Sequence, residues 1–262
     1  MQRFDHLLTT RPHEIKAVFI SDLHLSNNTP ALSAAFVALL KDLSVLPNLH
    51  SLYILGDWLD GWIGDDDYLT LTASDRQAHW LTPAILALQQ LSDKTTIFVM
   101  HGNRDFAIRQ GLCDEFGGKL IKEPHFLHTD ITYRLEHGDR LCTDDKKYQR
   151  YRTIIQHPII TWLLLKQPLS RRRKISQAIT AKSTKDKAQK AAVIMDVNHH
   201  AVTKAWHTCD VLIHGHTHRP AMHDADPKKR LVLGDWRSDD GKVSAVIGLM
   251  SDDVRLCQFT HH

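Results

Sequence analysis

Residues 51–60 read Ser-Leu-Tyr-Ile-Leu-Gly-Asp-Trp-Leu-Asp. The run from Leu52 to Leu55 is apolar or aromatic, which reads as a short buried strand. Gly56 and Asp57 end it, so a carboxylate stands directly at the strand's carboxyl end. Working outward, four more stretches repeat this design. AVFI leads into Asp22-Leu-His24, TIFVM into Gly102-Asn103-Arg104-Asp105, ITYRLE into His137-Gly138-Asp139, and VLIH into Gly215-His216-Thr-His218. A single Asp-x-His is weak evidence, because it recurs by chance. Five such loops in a fixed order, each behind a strand, are not a structural accident.

The loops gather carboxylates, imidazoles and one amide, a hard-to-borderline donor set suited to two divalent metals rather than to a thiolate site. Asp22 and His24 stand two apart on one loop, so both can face one ion. Asp57 has two carboxylate oxygens and can bridge two cations ~3.5–4 Å apart, the spacing of two-metal hydrolases. Asn103 offers an amide oxygen, and His137, His216 and His218 offer imidazoles. Such a pair of ions lowers the pKa of a shared water and stabilises charge on phosphoryl oxygens. Arg104, next to Asn103, suits a bidentate clamp on a phosphate. Asp60 and Asp139 are expected to orient a ligand imidazole or a loop rather than to touch a metal. His214 reads as a structural histidine, the His199-His200 and His261-His262 pairs as surface, and Asp65-Asp66-Asp67 as a solvated loop.

Length and composition agree with one enzyme domain: 262 residues, 42% of them apolar, can bury a sizeable core. No apolar run approaches the ~20 residues that span a bilayer, and the polar Met1–Glu14 segment lacks the apolar core of an export signal. Cys113, Cys142, Cys209 and Cys257 are scattered without a Cys-x-x-Cys pair, against a zinc knuckle or a disulfide framework. A reducing cytoplasm is the expected compartment. The net charge of +3 is too small to argue for nucleic-acid binding.

Strands alternate with helices through the first half. Helices are expected over Pro30–Leu43 and around Ala78–Leu91, and Thr129–His137 and Lys229–Ile247 read as antiparallel sheet. From Tyr148 to Met195 the texture becomes helical. An apolar patch, Ile154 to Leu165, runs into a tract from Lys166 to Lys190 holding nine Lys/Arg against one acid. It reads either as a solvated helix face or as a surface for an anionic membrane or amphiphile, and composition leans toward the second.

The five motifs in order resemble the calcineurin-like metallophosphoesterase superfamily. Longer strings (FISDLHLS, LYILGDWLDGWIGDDD, HGNRDF, HGDRLCTDDKKYQRYR, IMDVN and LIHGHTHRPAMH) narrow the resemblance to the bacterial UDP-2,3-diacylglucosamine pyrophosphohydrolase family of lipid A biosynthesis. It covers roughly Val18 to Trp236. Arg104 stands where the wider superfamily usually has His, and Asp60 where a Glu is common. The resemblance implies a calcineurin-like four-layer α/β/β/α sandwich with a helical cap insertion at about 148–195, the metallophosphoesterase domain running from 15 to 262 behind a 1–14 extension. It implies one metal on Asp22, His24, Asp57 and His218 and a second on Asp57, Asn103, His137 and His216, with manganese the ion expected. Asp57, Asn103, Arg104 and His137 would stand at the chemistry. Substrate contacts would fall on Asn103, Arg104, Asp145, Ser183, Lys187, Lys190 and His216, with the insertion forming an apolar chamber for acyl chains. The reaction implied is metal-hydroxide attack on the α-phosphorus of UDP-2,3-diacylglucosamine, releasing UMP and 2,3-diacylglucosamine 1-phosphate. The enzyme would sit peripherally on the cytoplasmic face of the inner membrane. A nuclease or cyclic-nucleotide phosphodiesterase is the rival within the superfamily, but a nuclease needs a basic groove with aromatic platforms, and here the basic residues follow an apolar helix. A binding protein with a dead metal site is the rival outside it, yet all seven ligand positions are filled.

Overall fold

The computed structural model describes residues 1–189 and 196–262, with side chains described up to 180 and from 196 onward. Its strands are β1 (Gln2–Arg3), β2 (Ala17–Ile20), β3 (Ser51–Leu55), β4 (Thr96–Met100), β5 (Lys119–Ile121), β6 (His125–His128), β7 (Thr132–Leu135), β8 (Val211–His214), β9 (Ala221–Ala225), β10 (Lys228–Val232), β11 (Arg237–Asp239), β12 (Lys242–Met250) and β13 (Val254–His261). The helices are α1 (Phe4–Thr10), α2 (Pro30–Ser44), α3 (Asp66–Leu69), α4 (Ala73–Ala78), α5 (Thr82–Ser92), α6 (Gln110–Asp114), α7 (Lys146–Ile155), α8 (Pro158–Leu165), α9 (Leu169–Gln189) and α10 (His199–Trp206).

One sheet runs β1-β13-β12-β2-β3-β4-β5, with β11 beside β12; the other runs β6-β7-β8-β10-β9. Period-two alternation assigns each strand's two faces. Val18, Ile20, Leu52, Ile54, Ile97 and Val99 point outward into a core shared with Leu32, Phe36, Leu39, Leu40 and Leu43 of α2 and with α5. Their neighbours Ala17, Phe19, Tyr53, Leu55 and Met100 point inward and meet Tyr133, Leu135, Ile213 and Leu231 of the second sheet. The outer face of that sheet, through Leu212, is covered by Val202 and Ala205 of α10. The layers are therefore α/β/β/α, as expected. Both faces of the first sheet's central strands are covered, which is why they read as apolar runs without polar alternation.

Three local expectations change. Pro83 lies in the first turn of α5, and a proline ring cannot continue a helix arriving from Ala78, so the expected helix begins only at Thr82, with Ala78 ending the separate α4. β7 pairs antiparallel with β6 and β10 with β9, but both pair parallel with β8, so the second sheet is mixed. The 1–14 extension is fastened to the body at two residues and one strand: Phe4 and Leu7 are buried in the main core, Phe4 meeting Phe259 edge-on at 6.3 Å, and β1 adds to β13.

Candidate metal centre

The carboxyl ends of β2, β3 and β4 in one sheet and of β7 and β8 in the other open onto a single cleft, the place where α/β sheets bind ligands. Backbone bonds lace the loops together: Asp22 N–H to Gly56 O at 3.1 Å, His24 N–H to Asp57 O at 2.9 Å, and Gly215 N–H to His137 O at 2.9 Å. Side chains at Gly56 would forbid this closeness, because a Cβ there would lie 2.6 Å from His137 Nδ1 and 2.7 Å from Gly102 Cα. Asp22, His24, Asp57, His216 and His218 all have positive φ, between 50° and 68°. Non-glycine residues rarely adopt that region, and each costs of order 1–3 kcal/mol unless its surroundings enforce it. Five such residues at five expected ligand positions mark a backbone shaped to aim side chains.

Ligand atoms of Asp22, His24 and His218 lie within 4.8 Å of one another, and so do those of Asp22, Asp57 and His137. Asp57 Oδ2 is 3.9 Å from His24 Nδ1 and 3.8 Å from His137 Nε2, midway between the two groups. Asn103 Oδ1 is 3.2 Å from His137 Nε2, and the His137 and His216 rings are 5.1 Å apart. All seven expected ligands thus converge. The His137 Nδ1–H donates to the Leu55 carbonyl at 3.0 Å, which leaves Nε2 facing the cleft.

Asp22 and Asp57 are fully buried. Asp22 Oδ2 accepts from the Ser21 hydroxyl and from His216 N–H, whereas the buried Oδ1 faces His218 Nε2 at 3.3 Å. Burial pushes the Asp57 carboxyl up to about 6. Burial pushes His137 down, but the Asp57 and Asp22 carboxylates outweigh it and hold the imidazole up to about 10. Burial also opposes ionisation of Asp22, yet His218, His137 and His24 keep it well below the ordinary carboxylate range. Buried anions competing for positive charge, carboxylate oxygens facing imidazole nitrogens 3.3–3.9 Å away and an N/O donor set without thiolate fit divalent cations. The four cysteines are buried and free.

Arg104 points at this cleft. Its backbone N–H donates to Asp57 Oδ1 at 2.7 Å, and its guanidinium pairs with Asp60 at 3.1 Å. Asp105 is buried, accepting from Trp58 N–H at 2.8 Å and Gly102 N–H at 2.6 Å, and so ties the second motif loop to the third. Asp139 accepts from the Tyr148 hydroxyl at 2.7 Å and from Arg152 Nε at 2.6 Å, joining the fourth loop to α7. Asp145 caps α7, accepting from Tyr148 N–H at 3.0 Å. His214 is buried and pushed down to about 4 by burial, with Nδ1–H on Gly215 O and Nε2 accepting from Arg230, a structural role as expected. Ser183 and Lys187 lie on α9 beyond the described side chains, and Lys190 lies outside the described residues.

Two residues escaped the sequence reading. Glu123, its side chain 8% exposed, accepts from His137 N–H at 2.9 Å while pairing with Arg140 and Arg152; nothing in its sequence context marks it. Asp235 sits 3.2 Å from His218 Nδ1. Its signal was available, since Gly234-Asp235 closes the strand β10 just as Gly56-Asp57 closes β3.

The Asp65–Asp67 run is not a solvated loop. Asp65 is buried, accepting from Arg109 N–H at 3.0 Å and Leu112 N–H at 2.7 Å. Asp66 holds the buried Arg172 through both carboxylate oxygens, and Asp67 pairs with Arg173 at 2.6 Å. The basic tract is therefore partly consumed in fastening α9 to the body rather than facing outward.

Residues 15–220 match the model of the calcineurin-like phosphoesterases. The UDP-2,3-diacylglucosamine hydrolase of Pseudomonas putida is 40% identical over 227 residues, covering 84% of this chain and 90% of that protein. The enzyme of the same name from Tolumonas auensis is 40% identical over 232 residues, 85% of this chain and 89% of that protein. That of Actinobacillus succinogenes is 38% identical over 248 residues, 93% of this chain and 99% of that protein. The chain belongs to the calcineurin-like phosphoesterases, and within them to the family of the UDP-2,3-diacylglucosamine hydrolases. It is a metal-dependent hydrolase.

Proposed function

We propose that this chain hydrolyses the pyrophosphate bond of UDP-2,3-diacylglucosamine, giving UMP and 2,3-diacylglucosamine 1-phosphate. The observation that carries the reading is a pocket adjoining the cleft. Trp62, Ile63, Phe106, Leu164, Ile175 and Ile179 line it, and Asn103 and Arg104 stand at its wall. An apolar pocket beside a phosphate-clamping arginine and a two-metal cleft suits an amphiphile whose phosphates are cut while its acyl chains stay dry.

On this reading Asp22, His24, Asp57 and His218 would hold one ion and Asp57, Asn103, His137 and His216 the other, with manganese the ion proposed. When bound, such ions supply a water of lowered pKa and neutralise charge on the phosphoryl oxygens. The chain's own residues do the rest. Arg104, anchored by Asp60, orients a pyrophosphate oxygen; the laced loops hold the α-phosphorus in line. Water adds to that phosphorus, and its bond to the bridging oxygen breaks, so the sugar phosphate leaves with that oxygen.

The cap supports a membrane-side encounter. Ile154, Ile159, Trp162 and Leu163 are 47–62% exposed on α7 and α8, with Lys166 Nζ 5.0 Å above the Trp162 ring. Large apolar side chains clustered in the open beside cations suit the surface of an anionic leaflet. Among the described residues no helix is long and apolar enough to cross a membrane, so the association proposed is peripheral, on the cytoplasmic face of the inner membrane. Nucleic acid has no place in this reading. The deciding assay offers purified, manganese-loaded protein UDP-2,3-diacylglucosamine, a monoacylated analogue, bis-p-nitrophenyl phosphate and single-stranded DNA. Preference for the diacylated substrate is expected; preference for DNA would overturn it.

A further inference from the structure

His218 lies between two carboxylates. Its Nε2 is 3.3 Å from Asp22 Oδ1, on the cleft side, and its Nδ1 is 3.2 Å from Asp235 Oδ2 on the opposite side. Asp235 comes from the loop after β10, a strand that supplies none of the five motifs, and its side chain is only 15% exposed. Arg237 Nε reaches both of its oxygens, at 3.0 and 3.1 Å, so the carboxylate is fixed from behind. The loop itself is pinned independently of these side chains, by Trp236 N–H on the Asp22 carbonyl at 3.2 Å.

We infer that Asp235 is a positioning residue of the metal centre, holding the His218 ring with Nδ1 protonated and Nε2 turned toward Asp22. The inference rests on the reading of His218 as a ligand. An imidazole offers a metal one nitrogen lone pair, and a hydrogen bond at the other nitrogen decides which one, fixes the ring plane and raises its basicity. His137 is fixed by a neutral carbonyl, that of Leu55, whereas His218 faces an anion. Asp235 therefore sets the affinity of one metal site and leaves the other alone. His218 also sits at φ 54°, so its ring direction is not settled by ordinary backbone preference and an external partner matters more.

The test is titration of the metal-free protein with Mn2+ alone, followed by calorimetry and by the electron paramagnetic resonance of free Mn2+. Thermal melting of each metal-free variant reports folding. Asp235→Ala is expected to weaken one of two sites about 10–100-fold, the same site that His218→Ala weakens, with the other unchanged. Asp235→Asn keeps an acceptor for Nδ1–H and should recover part of the loss. Arg237→Ala should weaken that site by less than Asp235→Ala does, since the carboxylate keeps its charge and the loop keeps its Trp236 bond. If His218→Ala loses a site while Asp235→Ala binds like the parent, the inference fails and the ligand reading stands. If His218→Ala itself keeps both sites, the ligand reading fails and the inference with it. An Arg237→Ala loss equal to that of Asp235→Ala would assign the effect to the loop's ion pair and overturn the role given to Asp235.

Discussion

The body and the cap of this molecule solve opposite problems. In the body, burial is nearly complete around Asp22, Asp57 and His137, and the side chains the chemistry needs are the ones burial penalises most. In the cap, α7 and α8 leave Ile154, Ile159, Trp162 and Leu163 in the open, and the charged residues do the structural work. Arg172 is buried, its guanidinium spanning Asp66 and the Ile63 carbonyl. The lesson is that polarity does not sort function from scaffold here. On the proposed reading buried charge is functional in the cleft and structural at the cap junction, and the exposed apolar surface of the cap is what meets the membrane.

The sharpest way to break the comparison is at Asp57. Asp57→Asn keeps an oxygen for the Arg104 N–H but removes the charge shared between His24 and His137. Activity should fall by several orders of magnitude with loss of bound metal, because no protein nucleophile can substitute. The metal-free variant should melt no lower than the parent, since its carboxyl ionises reluctantly in that buried place. A silent His199→Ala is the control, read by turnover and metal analysis. Next in size is Arg104→Lys. A planar fork held by Asp60 is replaced by a point charge, so turnover should drop on the order of 10²-fold while metal content stays normal. Full activity in the lysine variant would remove Arg104 from the phosphate-clamping role.

Much of the body was legible because its signals are local. Strand, then glycine, then ligand is a pattern three to ten residues long, and the apolar runs before Asp22, Asp57 and Asn103 carried it. Asp235 repeated that pattern and was passed over because its loop brings one ligand-like residue instead of a motif pair. Glu123 was illegible in principle: its contact to His137 crosses from one strand end to the next, and neither residue announces the other. The junction between cap and body was missed for a related reason. Arg171-Arg172-Arg173 and Asp65-Asp66-Asp67 each look like solvated charge, and only the fold brings them together across about a hundred positions.

That junction gives the third test. Arg172→Ala removes the partner of Asp66 and leaves the Ile63 carbonyl without its donor. Asp66 is 44% exposed, so the full penalty of a buried pair is not reached; a loss of about 1–3 kcal/mol is expected. Limited proteolysis should then cut within α8–α9 while the body survives. KM for the diacylated substrate should rise, with hydrolysis of bis-p-nitrophenyl phosphate unchanged. Acid should mimic the variant. Hydrogen bonding from Arg172 holds the Asp66 carboxyl below its ordinary value of 3.8. A depressed folded value means the contribution is complete above that ordinary value and is lost as pH falls through the folded one. Cap release should therefore appear only below about pH 4, and release already at pH 6 would place the fastening elsewhere.

The smallest effect on stability, and the most telling on location, belongs to the exposed apolar face. Reversing all three arginines at 171–173 cannot test membrane docking, because it would undo the cap first. Ile159→Ser with Trp162→Ser is the cleaner change, since both side chains are more than half exposed and solvent already reaches them. The free energy of unfolding should stay within about 0.5 kcal/mol of the parent. Binding to vesicles containing anionic lipid should weaken, each buried side chain having contributed ~25 cal/mol per Å² of apolar area. Lys166→Glu, altering the cation above Trp162, should add a further loss of about 1 kcal/mol or more that high salt erases. Co-sedimentation with vesicles at low and high salt reads both terms. If the double serine variant pellets as well as the parent, the open face of α8 is not what meets the membrane, and the acyl chains must reach the pocket from a soluble or detergent-like carrier instead.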